Sequence, residues 1–200
     1  LDSDDTWTAD KLERQMRLLE RGGRDVVCCI CNAELISAGA ESQTSFGMAK
    51  VLSHLNEGYW INPAPILASR FILFNQVVAI RKEAFERVGG FKEHMRLLED
   101  HDLAFRLALL GPWGFISEPL VRKYNDEDGL GVRAMGAALV HAKAWQQAYQ
   151  GFLNEPLSSH RGVARTVMRM TRNAAIEIRG VEMAASRQPA SRGIGRMVLA

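Results

Sequence analysis

The sequence has few cysteines, and their placement excludes two common kinds of site. There are three, Cys28, Cys29 and Cys31, and all fall in one apolar run. An odd, close-set group is not the pattern of a disulfide framework. No second Cys or His cluster stands at zinc spacing. We therefore expect buried thiols in a strand and a reducing, cytoplasmic setting.

Long apolar runs and a charge imbalance are also lacking. The most apolar stretch, 64–80, is interrupted by Arg70, Asn75 and Gln76, so it does not read as a transmembrane helix. A net charge of +2 does not indicate a nucleic-acid-binding surface, and the sequence contains no internal repeat. With 200 residues, 47% of them hydrophobic, the chain can bury a substantial core.

The remaining pattern alternates helices and buried strands, divided by glycine and proline. We predict helices at 10–21, 48–56, 82–88, 99–110, 134–149 and 161–185, and strands at 25–32, 76–80, 114–116 and 118–124. In the first helix, Leu12, Leu19 and either Met16 or Gln15 should face inward. This order predicts an α/β layered fold with a mostly parallel central sheet.

Two acidic clusters are the candidate site residues. Asp2, Asp4 and Asp5 crowd together, and such carboxylates repel one another unless they share a cation. The second cluster, Glu99 to Asp102, opens a predicted helix. Acids in a first helical turn also stabilise the positive end of the helix dipole, so the second cluster alone leaves function open.

Two stretches together resemble family 2 glycosyltransferases of the GT-A fold. Residues 1–7 (LDSDDTW) resemble the Asp-x-Asp region of that family. Residues 81–91 (RKEAFERVGGF), followed by 99–103 (EDHDL) and Arg106, resemble its acceptor-side block. The resemblance runs from Leu1 to about Tyr124.

This resemblance implies a Rossmann-like GT-A domain that lacks the family's N-terminal half, so that the chain would be an N-terminally truncated fragment. Residues 1–124 would form the metal and acceptor side. Residues 125–200 would be a helical extension with a loose tail. The turn at 125–129 is acidic, whereas family members often carry a histidine in this loop.

The family's chemistry supplies roles on the donor side. The resemblance implies a nucleotide-sugar donor, transfer with inversion, and a Mn²⁺ or Mg²⁺ ion. Asp2, Asp4 and Asp5 would face the donor, and Asp4 and Asp5 would bind the metal. A hard cation suits this chemistry because it neutralises the departing diphosphate.

The same resemblance supplies roles on the acceptor side, which would take a sugar, lipid or polysaccharide. Asp100 would be the catalytic base, and Glu99 and Asp102 would hold the acceptor. Arg106 could pair with Asp102 on the helix surface or reach into the site. Trp60 could stack on a sugar or simply pack in the protein.

Several alternatives remain open from the sequence. A metal-dependent nucleotidyltransferase on a related fold would share the acidic metal site but would need no base at Asp100. A non-catalytic interaction module could keep the same fold. The arginines between 161 and 179 could form a solvated helix face, meet acidic partners or lie on the inner membrane surface. No nucleic-acid partner is expected.

Overall fold

The computed structural model describes residues 5–37, 39, 41–51, 53–124, 138–157 and 161–187. The described strands are β1 (Thr6–Trp7), β2 (Cys28–Ile36), β3 (Gln43–Thr44), β4 (Glu57–Trp60), β5 (Val78–Ile80) and β6 (Trp113–Tyr124). The described helices are α1 (Lys11–Arg21), α2 (Ser45–Met48), α3 (Ala64–Leu67), α4 (Lys82–Arg87), α5 (Glu99–Leu110), α6 (Ala138–Leu153) and α7 (Arg161–Arg187). The α/β class predicted from the sequence is confirmed.

The sheet is mixed, so the prediction of a mostly parallel sheet was wrong. The two long strands, β2 and β6, lie side by side at its centre and run parallel. Short strands flank them in the antiparallel sense, β1 and β4 on β6, and β3 and β5 on β2. Parallel pairing needs a long crossover, which separates β2 from β6. By contrast, β3 follows β2 through a short loop and runs back along it.

The pairing of β2 with β6 shifts register at Asn32. Cys31 pairs with Ile116, whereas Asn32 pairs with Pro119, so β6 carries extra residues at this point. The two extended pieces predicted around 113–124 are therefore one strand with an irregularity. Proline is tolerated there because a bulge leaves a backbone N–H outside the ladder.

Helix α1 forms as predicted, and of the two predicted inward faces the one with Gln15 and Leu19 is largely the buried one. Its buried side chains are Lys11, Gln15, Leu18 and Leu19. Leu12 is 51% exposed and Met16 is 46% exposed, so their predicted inward positions were wrong. Gln15 faces the sheet because its Nε2 donates to the carbonyl oxygens of Cys29 at 2.8 Å and Val77 at 2.7 Å.

The helix predicted at 48–56 was also wrong. Helix α2 ends at Met48, and Leu55 is exposed. The carbonyl oxygens of Leu55 and Asn56 accept hydrogen bonds from Ser117 of β6, at 2.7 Å each. The chain joins the sheet here because these carbonyls pair with β6, which leaves them unavailable to a helix.

Helices α6 and α7 extend the same apolar core. Phe152 of α6 stacks on Phe105 of α5, with ring centroids 3.8 Å apart. Helix α7 packs against α6 and α3 and buries Val163 and Val167. The domain boundary at 124/125 stays a prediction. Among the described residues, no helix has both the length and the apolarity needed to cross a membrane.

Candidate functional site

Asp5 lies at the carboxyl end of β6, the end of parallel strands where ligands of α/β proteins collect. Its buried carboxylate accepts a hydrogen bond from the Tyr124 N–H at 3.3 Å, and Lys123 Nζ lies 3.5 Å from Oδ2. Asp2 and Asp4, also predicted to face the donor, lie outside the described residues. Among the described residues, these contacts hold the segment of Asp5 against β6.

The described part of the chain holds no group of three His, Cys, Asp or Glu side chains suited to a metal ion. The acidic turn at 125–129 also falls outside the described residues. The metal assignment to Asp4 and Asp5 therefore stays a prediction.

The second acidic cluster opens α5 directly after a strained residue. Leu98 precedes the helix with φ 61° and ψ 20°, the left-handed conformation. That conformation costs a non-glycine residue about 1–2 kcal/mol. It turns the chain sharply, so that Glu99 and Asp100 begin the helix half-buried. Asp100 Oδ1 accepts a hydrogen bond from the His101 N–H at 2.7 Å.

Burial, followed by the nearby charge of Glu99, raises the pKa of Asp100 to about 6. Hydrogen bonds from backbone N–H groups of the first turn act in the opposite direction. The structure shows that burial, which the sequence did not indicate, is the largest cause of the shift.

His101, which follows Asp100, is fully buried among aromatic rings. Its ring centroid lies 5.0 Å from that of Trp145 and 5.7 Å from those of Phe71 and Phe152. Burial lowers the pKa of His101 to about 4, so the imidazole is neutral at physiological pH. The first turn of α5 is thus anchored by an uncharged ring directly after the candidate base.

Asp102 and Arg106 form a buried ion pair. Asp102 is 1% exposed, and its Oδ2 lies 2.8 Å from Arg106 Nε and 2.7 Å from Nη2. Lys92 Nζ donates to Asp102 Oδ1 at 2.9 Å. Of the two alternatives for Arg106, the i, i+4 pair is the one that forms, but it is buried and not on the surface. The acceptor-site roles of Asp102 and Arg106 stay predictions, and their contacts give them a positioning role.

Arg106 also fixes the glycine turn after α4. Its guanidinium donates to the carbonyl oxygens of Val88 and, at 2.8 Å, Gly90. Gly89 and Gly90 have φ values of 78° and 64°, which glycine adopts without steric cost. The turn predicted to belong to the acceptor-side block is thereby tied to the helix that carries Asp100.

Lys92 extends this network to the chain that follows α6. Its Nζ lies 3.6 Å from Glu155 Oε1 as well as 2.9 Å from Asp102 Oδ1. Gly151 of α6 lies against this pair: a Cβ there would be 3.6 Å from Asp102 Oδ1 and 3.8 Å from Lys92 Nζ. One partly buried network therefore joins the chain after α6 to the first turn of α5.

Trp60 is not brought together with Asp100 in the described contacts. It lies half-buried in β4, with its ring 5.5 Å from Phe115 and 6.5 Å from Trp113. Its acceptor role stays a prediction. Trp145 is the tryptophan that lies beside the first turn of α5, and the sequence analysis missed it. The spacing of Trp145, Tyr149 and Phe152 at i, i+4 and i+7 was the available signal.

Comparison with known proteins adds one match. No family model matches the chain. A curated protein of Haemophilus influenzae strain Rd, named an uncharacterized glycosyltransferase, is 30% identical over 134 residues. This chain is similar to a glycosyltransferase. The match covers 60% of this chain and 39% of the relative, so the chain spans about two fifths of the relative's length.

The site can be set beside that glycosyltransferase relative in chemical terms. Sugar transfer to a hydroxyl needs a group that accepts the hydroxyl proton. Asp100 has a pKa near neutrality and is half-buried, which suits proton transfer. Asp102, two positions away, has its charge compensated by Arg106 and Lys92. The two carboxylates of the first turn of α5 therefore have different surroundings.

Proposed function

We propose that this chain carries the metal and acceptor side of an inverting, metal-dependent glycosyltransferase of family 2 with the GT-A fold. It would transfer a sugar from a nucleotide-sugar donor to an acceptor hydroxyl. The similarity to a protein named a glycosyltransferase supports the transferase class. The resemblance of residues 1–7 and 81–106 to the family's two motifs supports the finer assignment.

The observation that carries the proposal is the contrast between Asp100 and Asp102. Both belong to the first turn of α5, yet Asp102 is fully buried between Arg106 and Lys92. Asp100 has no cationic partner among the described residues and has a pKa of about 6. Neighbouring carboxylates whose environments differ in this way commonly divide acid–base and structural roles.

Asp100 would act as general base. A carboxylate oxygen of Asp100 takes the proton of the acceptor hydroxyl as the hydroxyl oxygen bonds to the anomeric carbon. The bond from that carbon to the donor phosphate oxygen breaks on the opposite face, and its electron pair leaves with the nucleoside diphosphate. Attack from the opposite face inverts the anomeric centre.

The negative charge on the leaving diphosphate would be neutralised by a metal ion held at the other acidic cluster. Asp4 would be the metal ligand, with Asp2 on the donor side, and Asp5 would hold the segment through Lys123 and the Tyr124 N–H. A bound Mn²⁺ or Mg²⁺ supplies neutralisation of the phosphate charge.

On the acceptor side, Glu99 is the other half-buried carboxylate next to Asp100 and would contact the acceptor directly. Asp102 and Arg106 would position the first turn of α5 and the glycine turn. Trp60 would contribute to acceptor binding only through the part of its ring that the sheet aromatics leave open.

The test is Asp100→Asn in the purified protein. A panel of nucleotide sugars with Mn²⁺ and candidate acceptors first identifies a donor through release of nucleoside diphosphate. The substitution should then lower turnover by about a hundredfold to ten-thousandfold, because the amide keeps the shape but removes the proton acceptor. Donor affinity, measured by calorimetry, should change little.

Two variants serve as controls. Glu99→Gln should reduce turnover less than Asp100→Asn does, chiefly through acceptor binding. Glu93→Gln changes an exposed carboxylate in the loop before α5 and should leave turnover unchanged. Near-normal turnover in Asp100→Asn, or a loss confined to donor affinity, would place the base elsewhere. A separate assay with nucleoside triphosphates and sugar 1-phosphates tests the alternative, because formation of a nucleotide sugar with release of pyrophosphate would indicate a nucleotidyltransferase.

A further inference from the structure

The outward face of α7 combines arginines with large apolar side chains. Its inward residues, among them Val163, Val167, Ala174 and Ile178, pack in the core. The opposite side presents Arg165, Met168, Arg169, Arg172, Ile176 and Arg179, all exposed. At 3.6 residues per turn these six side chains fall within an arc of about 100°. We call them the α7 stripe.

The α7 stripe has charge of one sign. None of its four arginines has an acidic partner among the described residues. The nearest acids in sequence, Glu177 and Glu182, project about a quarter turn or more away from the middle of the stripe. Glu182 is moreover paired with Lys143 of α6 at 3.8 Å. The stripe is therefore complementary to an anionic surface.

The stripe also contains two exposed large apolar side chains. Met168 is 52% exposed and Ile176 is 57% exposed. Each lies between arginines along a line of about 21 Å from residue 165 to residue 179. A straight row of apolar side chains between guanidinium groups fits a flat surface that is anionic outside and apolar beneath.

We propose that the α7 stripe binds α7 lengthwise to the surface of an anionic phospholipid bilayer. The arginines would contact lipid phosphates, which guanidinium groups bind in bidentate fashion. Met168 and Ile176 would insert between the headgroups. A purely acidic protein partner would use the charges but would leave these two side chains unexplained. This inference goes beyond the proposed enzymatic function and does not depend on it.

The test is co-sedimentation of the purified protein with vesicles. Vesicles of phosphatidylcholine are compared with vesicles of equimolar phosphatidylcholine and phosphatidylglycerol. The protein should bind the anionic vesicles only, and added salt should weaken binding. Arg169→Gln combined with Arg172→Gln should weaken binding by about 30-fold, from the usual contribution of a basic residue near an anionic surface.

Two further variants separate the contributions. Ile176→Ser should also weaken binding to anionic vesicles, because the apolar side chain is lost while the charge is kept. Arg24→Gln combined with Arg87→Gln removes the same charge from exposed positions outside α7 and should leave binding unchanged. The substituted residues are exposed, and matching thermal unfolding of all variants would verify that the fold is intact.

Three results would overturn the proposal. The first is no binding to anionic vesicles. The second is an equal loss in the Arg24 and Arg87 control, which would indicate a general charge effect. The third is binding to an acidic polypeptide such as poly-glutamate, without vesicle binding and without any effect of Ile176→Ser. That result would assign the stripe to an acidic protein.

Discussion

Asp100 and Asp102 stand two positions apart in α5 and meet different surroundings. Asp102 is neutralised by Arg106 and Lys92, and it fixes the geometry of the first turn. Asp100 is half-buried without such partners, and its neutral form is favoured up to about pH 6. A structural carboxylate and a candidate base are thus built from the same residue type on one turn.

The pH dependence of the reaction should follow Asp100. The base works only when deprotonated, so kcat/KM should fall about tenfold per pH unit below an apparent pKa of about 6. Glu99→Gln removes the charge that is the second cause of the shift, so it should move this limb to lower pH. The limb should stay above the ordinary aspartate value, because burial, the larger cause, remains. The measurement is kcat/KM against pH for both proteins.

The stability contributed by Asp100 should fall as pH rises over the range in which kcat/KM increases. A pKa raised by folding means that the unfolded chain loses this proton first as pH rises. The stability contributed by Asp100 should therefore be complete below the ordinary aspartate pKa of 3.8 and lost as pH rises through the folded-state pKa of about 6. Asp100→Asn should remove this component from urea unfolding measured across that range. An unchanged profile would contradict the burial of Asp100.

Replacing Arg106 by lysine should lower the stability of the fold. Its guanidinium bonds Asp102 and two backbone carbonyl oxygens at once, which an ammonium group cannot do in the same geometry. Arg106→Lys should lower the free energy of unfolding by about 2–3 kcal/mol, from the buried hydrogen bonds lost. Arg17→Lys, in an exposed pair with Glu13, should change it by less than about 0.5 kcal/mol. Comparable losses in the two variants, measured by urea unfolding, would contradict the positioning role.

For helices and strands, the sequence predicted their positions along the chain better than it predicted which of their faces are buried. The limits of α1, α4 and α5 follow from glycines and from acids in first turns, which act locally. The inward face of α1 depends on Gln15, whose partners Cys29 and Val77 are distant in sequence. Periodicity left Met16 and Gln15 as alternatives, because the spacing of residues alone does not reveal a buried amide that bonds two distant carbonyl oxygens.

Asn32 in β2 also has partners that are distant in sequence, which a local pattern does not reveal. Its Oδ1 accepts hydrogen bonds from Ser45 Oγ and the Phe46 N–H at 2.9 Å each, and its Nδ2 donates to the Ser117 carbonyl oxygen at 3.0 Å. These contacts join β2, α2 and β6 at the register shift. The predicted strand ended at residue 32, whereas β2 continues to Ile36, and the role of Asn32 arises only when three separate segments meet.

Two glycines should respond oppositely to alanine. Gly180 lies within α7, and a Cβ there would meet nothing within 4 Å. Gly180→Ala should raise the free energy of unfolding by about 0.5–1 kcal/mol, because alanine loses less conformational entropy in a helix. Gly111 lies between α5 and β6, where a Cβ would lie 2.8 Å from the Asp25 carbonyl oxygen. Gly111→Ala should therefore destabilise by about 1–3 kcal/mol. Urea unfolding of both variants is the measurement, and a gain from Gly111→Ala would contradict the packing described there.

For the whole molecule, the sequence predicted the α/β class but not the mixed sheet. Local composition indicates which segments form strands, whereas the direction of a strand depends on how the chain returns to the sheet. Of the candidate site, Glu99 and Asp100 share the first turn of α5, and Arg106 ties the glycine turn to that helix, while their roles stay predictions. Lys92, Glu155 and Trp145 were missed because they reach α5 from the loop before it and from α6 and the chain after it.

The reactivity of the three cysteines of β2 should report when the central strands of the sheet separate. All are free and fully buried at the centre of the sheet. Burial is the main cause that raises the pKa of Cys29 to about 12 and of Cys31 to about 11, and it raises that of Cys28 well above its usual value. Since the thiolate is the reactive form, a thiol reagent should label them only when the sheet separates.

The rate of labelling should therefore measure how often the central strands part. Mass spectrometry should show the three sites modified together, with a rate that rises as urea lowers the stability of the sheet. A cysteine introduced at the exposed Ser42 should react at once and calibrate the reagent. Rapid labelling of any one native cysteine in the folded protein would mean that β2 opens locally. The sheet centre would then be a set of independently moving strands, and not one cooperative unit.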